Sequence, residues 1–433
     1  MSIYDDFIIS VLNIDVESIK EIKASNNDNG DLKIKVKVNA GEVKCPICGG
    51  NVISHGYNEK RITHSIFNNR KCLIYFDQER FRCKACAITF SQTNPFALKN
   101  EKISHETKLN VLNDLKRSAN TYSYVGVKNG ISPTEVQKIF DKCVDIKRHT
   151  LPTALSIDEN YFPESDYSSL YMCVFMDFET GEIVDILPDR KKDYLISYLS
   201  NIKNETLDEK THLSELNNVK YVSIDLNDIY RDVAKTYFPK ASICADPFHV
   251  IRNLNFFFNK VRLRCRQHSD DETLIYLLTK FDFVLYHNTD IDNEAKYNRR
   301  LGRYINYRGI RDYLFEAFPD LKKAYELKEE YIYFNANCNL VDAKKELTKM
   351  IEKFASCDIK EYEPFYNLLI NWFDEIVNSF NTINGKRINN SYIESRNKNI
   401  DTLMFNANGL INFRRARNRI MYCINKTDTY RFK

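Results

Sequence analysis

The chain has 433 residues, 43% apolar and 28% charged, with a formal net charge of +4. That is the composition of a soluble globular protein of roughly two to four domains, with enough chain for a sizeable core. No run approaches the ~18 apolar residues of a membrane span and Met1 opens no export leader, so no membrane is expected and a cytoplasmic location is.

The twelve cysteines fall as two CxxC pairs and single residues, which favours a metal site in a reducing compartment over disulfides. Charge is segregated. Residues 60–150 carry 17 Lys/Arg against 8 Asp/Glu and residues 386–433 carry 11 against 3, whereas 151–385 carry 29 against 39. Two basic ends around an acidic middle point to a polyanion held by the ends and acids offered to metals between them.

Residues 1–40 read as a short helix, Ile3 to Leu12, and a strand, Leu32 to Val38. Within 41–98, Cys45 and Cys48 precede Cys83 and Cys86, with strands expected at Arg61 to His64 and Cys72 to Phe81. Paired knuckles on β-structure predict a closed tetrahedral zinc ribbon, with His55, His64 and Cys72 as weaker alternative ligands. So short a segment buries little surface, and structural zinc supplies roughly 10–16 kcal/mol of apparent folding energy.

Residues 101–150 turn helical. Leu109, Val111, Leu112 and Leu115 define one helix, and Tyr122 to Val127 a second. After the Lys128-Asn129-Gly130 turn, Ser132 to Glu135 forms a capping box opening a third helix through Val144. In a basic segment this suggests a helix-turn-helix whose Pro133 to Lys142 helix enters a DNA groove, with Lys128, Thr134, Lys138 and Lys142 as contacts.

From 151 to 255 the expected order is β-β-β-α-β-α-β. Leu155 to Ile157 leads to Asp158-Glu159, and Leu170 to Phe178 and Glu182 to Leu187 form a hairpin around Glu179-Thr180-Gly181. Tyr194 to Ile202 is helical. Tyr221 to Ile224 ends on Asp225, Asn227 caps a helix stopped by Pro239, and Ala241 to Cys244 leads to Asp246 and His249. A meander extended by parallel strands is the ribonuclease-H-like arrangement, with first and fourth strands adjacent and Asp158 close to Asp225. Acids just past the ends of buried strands lie where open α/β sheets place their chemistry. Residues 256–385 read as an α-helical insertion. In 386–433, Asn390, Glu394 and Asn397 share one helical face, followed by a basic tail in which Arg414, Arg415 and Arg417 are further expected DNA contacts. The expected whole is multidomain α+β.

These residues resemble the ISL-three family of insertion-sequence transposases, enzymes with a DDE triad. The resemblance covers nearly the whole chain: the CPxCG and FRCKAC knuckles, IDE at 157–159, TGEIVDILPDR at 180–190, FPKA and DPFHV within 225–253, and NSYIESRN to NGLINFRRARNRI at 390–420. It implies that Asp158, Asp225 and Glu394 are the catalytic, magnesium-binding acids, with 168 residues between the last two. Asp246 and His249 match an acid-x-x-His motif of related transposases and, with Asn390 and Asn397, are assigned supporting roles. The chain departs from relatives in Ser395 after the triad Glu, and in Asp401, Met404 and Phe405 where Lys or Arg is usual. Three carboxylates suit Mg²⁺ or Mn²⁺ in an in-line displacement at phosphorus. The implied partners are double-stranded DNA, as terminal inverted repeats and as target, and a second copy of the chain on that DNA. The rival readings are a DNA-binding regulator and a nuclease of the same fold without strand transfer.

Overall fold

The computed structural model describes residues 12, 16–67, 70–163, 166–167, 169–286, 290–407 and 410–432. Of the helix expected at Ile3 to Leu12, all but Leu12 lies outside them. The chain forms two compact units, residues 1–147 with 399–433 and residues 148–398.

The first unit contains a five-stranded sheet of β1 (Ile19–Asn26), β2 (Leu32–Val38), β3 (Val52–Phe67), β4 (Arg70–Cys83) and β5 (Thr89–Ser91). The order is β1-β2-β4-β3, with β5 also paired to β4. Alternation in β2 turns Ile34, Val36 and Val38 to one side, and that side needs a cover. Parallel pairing of β2 with β4, Leu32 opposite Cys72, widens that side with Ile62, Ile74 and Phe76, and Leu12, Phe96 and Ala97 complete the core against it. Residues 1–40 and 41–98 were expected as separate segments, but their described strands share this sheet and core. β1 escaped the sequence reading because Ile22 is its one buried residue.

Three helices follow, α1 (His105–Leu115), α2 (Tyr122–Asn129) and α3 (Pro133–Cys143). Gly130 ends α2 at φ 69, a left-handed conformation that disfavours a side chain. Ser132 accepts from the Glu135 amide at 3.2 Å, but the Glu135 carboxylate takes Lys138 at 2.7 Å instead. Only that half of the expected capping box is seen.

The expected basic tail is a packed helix, Phe413–Ile424, that buries Phe413, Ala416, Ile420 and Met421. Tyr422 donates to the Leu112 carbonyl at 3.0 Å. Buried Arg419 donates to the carbonyls of Leu115, Arg117 and Asn120, at the end of α1 and in the turn that follows it.

The second unit is built on a sheet of β6 (Ala154–Tyr161), β7 (Tyr171–Asp177), β8 (Ile183–Leu187), β9 (Tyr221–Ile224) and β10 (Ser242–Ala245). Its order is β10-β9-β6-β7-β8; β9 runs parallel to both β10 and β6, and β7 is antiparallel to its neighbours. The first and fourth strands of the unit therefore lie side by side, as expected. β7 and β8 are almost continuously apolar because both faces are covered. Helices α4 (Lys192–Glu205) and α5 (Asp228–Tyr237) bury Leu195, Leu199, Tyr230 and Val233 in one core with Leu155, Ile157, Val222, Ile224 and Ile243. Asn227 caps α5 through the Ile229 amide at 2.9 Å.

Helix α6 (Pro247–Gln267) continues from the sheet into the insertion, where six further α-helices lie between Glu272 and Asn378 among the described residues. The insertion is not all-α. Lys296–Asn298 and Arg303–Ile305 form a short hairpin, and Thr382–Ile383 with Lys386–Arg387 another. Strands of two or three residues are too short to show alternation in sequence. Helix Ser391–Ala407 then carries Glu394. No described helix is long and apolar enough to cross a membrane.

Candidate metal and catalytic site

Register and alternation build the site. Ser156 pairs with Ser223, and Ile224 with Ala245. Continuing that register puts Asp158, Asp225 and Asp246 in one row across β6, β9 and β10. Leu155, Ile157, Val222, Ile224, Ile243 and Ala245 face the α4–α5 core, so residues of opposite parity, the three acids included, face the other way.

On that other face runs the segment leading into the Glu394 helix. Ile388 packs with Ala154 and Cys244. Buried Asn390 accepts from Ser223 Oγ at 2.7 Å and donates its backbone N–H to Asp246 Oδ1 at 3.0 Å. Seven residues on, Asn397 donates to Asp158 Oδ2 at 2.8 Å. The shared face of Asn390, Glu394 and Asn397 thus lies along the acid row.

Burial is the main cause that raises the Asp158 carboxyl to about 7 and the Asp225 carboxyl to about 6, with Asp225 contributing at Asp158, and Glu159 and Asp246 contributing at Asp225. Glu394 is raised by partial burial and by Asp246. His249 is raised by the Asp246 carboxylate beside it. Asp225 Oδ1, Asp246 Oδ2 and His249 Nδ1 are buried without a hydrogen-bond partner. Crowded, desolvated acids with orphaned oxygens are a donor set that fits a divalent cation.

Among the described residues, two groups of three or more candidate ligands lie with all their ligand atoms within 4.8 Å. One is Asp246, His249 and Glu394; the other is the four paired cysteines. Asp225 helps raise the Asp158 carboxyl, but the two do not join Glu394 at that spacing.

The opposite side of β6 carries an arrangement the sequence did not reveal. Glu159 forms an ion pair with Arg190, accepts from Tyr230 Oη at 3.3 Å, and Arg190 lies 4.2 Å from the Tyr171 ring centre. Its only sequence trace is that Arg190 closes the 180–190 block.

In the first unit, Cys45 Sγ lies 3.5 Å from Cys86 Sγ, and Cys48 Sγ lies 3.5 Å from Cys83 and 3.6 Å from Cys86. Tetrahedral Zn–S bonds of about 2.3 Å place sulfurs about 3.8 Å apart, so the group can hold zinc. Each knuckle closes on a left-handed residue, Gly49 (φ 68) and Ala87 (φ 59), and amides of Ala85 and Cys86 point at Cys83 Sγ. Those amides help hold the Cys83 thiol down at about 6. His55, His64 and Cys72 are outside the group. His64 and Cys72 face each other across β3 and β4, and His64 bonds Ser104 at 3.0 Å.

The expected DNA contacts divide. Thr134 and Lys138 are exposed on α3, while Lys128 pairs with Asp114 and Lys142 with Glu101. Arg414 pairs with Asp145 yet stays 79% exposed. Arg415 grips Asp141 with two nitrogens at 2.7 and 2.9 Å, and Arg417 donates to the Ile146 carbonyl at 2.7 Å. Those two tie helix Phe413–Ile424 to its own unit.

Fold and site together define an α/β protein with a carboxylate row beside a helix, and a separate four-cysteine centre. A family model for the ISL-three (ISL3) DDE transposases, described as Transposase, matches residues 155–420. That is more than half of the chain, which therefore belongs to this transposase family. No curated protein matches it.

Proposed function

We propose that this chain is a DDE transposase that binds the terminal inverted repeats of an insertion sequence and catalyses Mg²⁺- or Mn²⁺-dependent strand cleavage and strand transfer. The observation that carries the reading is the Ser156–Ser223 register of adjacent strands, whose continuation brings Asp158 and Asp225 level, beside the helix bearing Glu394. The strand order β8-β7-β6-β9-β10 supports a ribonuclease-H-like core interrupted by the insertion.

In this reading Asp158, Asp225 and Glu394 are the catalytic acids. Asn390 and Asn397 hold the Glu394 helix against the row, with Asp246 receiving the Asn390 amide. A divalent cation held by the acids would supply charge stabilisation to attacking and leaving oxygens at phosphorus. Water attacks first, freeing a 3′-hydroxyl at the element end, and that hydroxyl then attacks target DNA.

The four cysteines would hold a structural zinc that orders the β3–β4 hairpin. Helices α2 and α3 would act as a helix-turn-helix, reading the repeats through Thr134, Lys138 and Lys142, with Lys128 and Arg414 on phosphates. The basic ends of their present ion pairs are at least half exposed, so phosphate can compete for them. A homodimer on paired ends would synapse the element.

Asp158→Asn, Asp225→Asn or Glu394→Gln should each abolish cleavage of repeat-bearing DNA while repeat binding stays within a few-fold. Normal cleavage by any one of these folded variants would overturn its place in the triad.

A further inference from the structure

We propose that Asp246, His249 and Glu394 form a cation site with a nitrogen ligand, which takes Mn²⁺ in preference to Mg²⁺ and fills without DNA. The inference shares Glu394 with the triad above, but it does not require catalysis to be as described there.

Three observations carry it. The ligand atoms of the three side chains lie within 4.8 Å of one another. Asp246, only 1% exposed, has one carboxylate oxygen taken by the Asn390 amide at 3.0 Å, while Oδ2 is buried without a hydrogen-bond partner. His249 Nδ1 lies 3.1 Å from that oxygen and is likewise buried without a hydrogen-bond partner, so the two atoms are close but not aligned as donor and acceptor.

That separation has a simple meaning in coordination geometry. Two bonds of about 2.1 Å meeting at a right angle put their ligand atoms about 3.0 Å apart. Asp246 Oδ2 and His249 Nδ1 are therefore spaced as neighbouring corners of an octahedron around one ion, with Glu394 within reach as a third. The competing arrangement is a protonated His249 paired with Asp246 across the same 3.1 Å, acting as internal counter-cation to the acids. A cation on Nδ1 and a proton on Nδ1 exclude each other, so the nitrogen signal in the test below separates the two.

Fold order makes the set. Asp246 ends β10, Pro247 starts α6 at once, and His249 follows three residues after Asp246 in its first turn. Glu394 comes from the first turn of its own helix, whose preceding residue Asn390 is pinned to Asp246. An imidazole beside two carboxylates suits first-row transition ions better than Mg²⁺, which favours all-oxygen sites.

The test is Mn²⁺ binding to the purified, zinc-loaded full-length protein without DNA, followed by calorimetry and pulsed electron paramagnetic resonance. The expected result is one Mn²⁺ bound more tightly than Mg²⁺, with an imidazole-nitrogen modulation in the wild-type spectrum. That modulation should vanish in His249→Ala, with affinity falling at least about tenfold. Wild type carries the main readout, so a variant that fails to fold does not decide the outcome. Mn²⁺ bound without a nitrogen signal, a signal unchanged in folded His249→Ala, or no Mn²⁺ binding would overturn the proposal. Any of these beside cleavage that still needs Asp158, Asp225 and Glu394 would sink this inference alone. Nitrogen-ligated Mn²⁺ with cleavage indifferent to Asp158 would sink the triad alone.

Discussion

His64 lies buried between β3 and α1, bonded through Nδ1 to Ser104, the residue that caps α1. Burial holds its imidazole down at about 4, against an ordinary value of 6.5. The folded pKa is the lower one, so below pH ~6.5 the unfolded chain takes up the proton first. Stability from this residue is complete above pH ~6.5, falls as pH drops towards 4, and changes no further below that. The full span is worth up to about 3 kcal/mol. Thermal melts between pH 7 and 4 should show a loss that His64→Gln flattens; parallel pH profiles for the two proteins would contradict this. In sequence His64 was one more possible zinc ligand. Its partner Ser104 is forty residues away, and only the folded sheet brings the two together.

The elements divide by how local their causes are. Helices α1, α2, α3 and α5 were legible because their apolar spacing and caps lie within a few residues. So was the order of the second sheet, since a meander followed by crossover helices leaves few right-handed solutions. The acid row was legible too, because each acid directly follows an apolar strand run or lies within one. What stayed hidden depends on distant pairing. Strand β1 has one buried side chain, and the basic face of Phe413–Ile424 conceals that Arg419 serves the end of α1. The spacing of strands favoured Asp225 over Asp246 as the partner of the first acid. Side-chain reach, which strand spacing does not capture, gathers Glu394 with Asp246 and His249. The cysteine knuckles are the most local element of all and support a direct test. Metal analysis should find about one zinc per chain, and Cys83→Ser should unfold residues 40–95 and weaken repeat binding, since a structural zinc would supply roughly 10–16 kcal/mol there. Metal-free protein that keeps this sheet and still binds the repeats would refute the assignment.

At the scale of the whole molecule, the proposed function assigns DNA binding to the first unit and cutting and joining to the second. Family membership makes the chain a transposase by descent, and the carboxylate row would supply, in the proposed function, the chemistry that a regulator would not need. A nuclease of the same fold would share the row and its metals, so cleavage alone does not separate the two. Strand transfer does. Repeat-bearing duplexes already cut to a free 3′-hydroxyl should be joined to a plasmid target by the wild-type protein with Mg²⁺ or Mn²⁺. Joining should fail when the 3′-end is a dideoxynucleotide and when Asp225 is changed to Asn. A protein that cleaves the repeats yet never joins those ends, or that joins them as well with Asp225→Asn, would contradict the account.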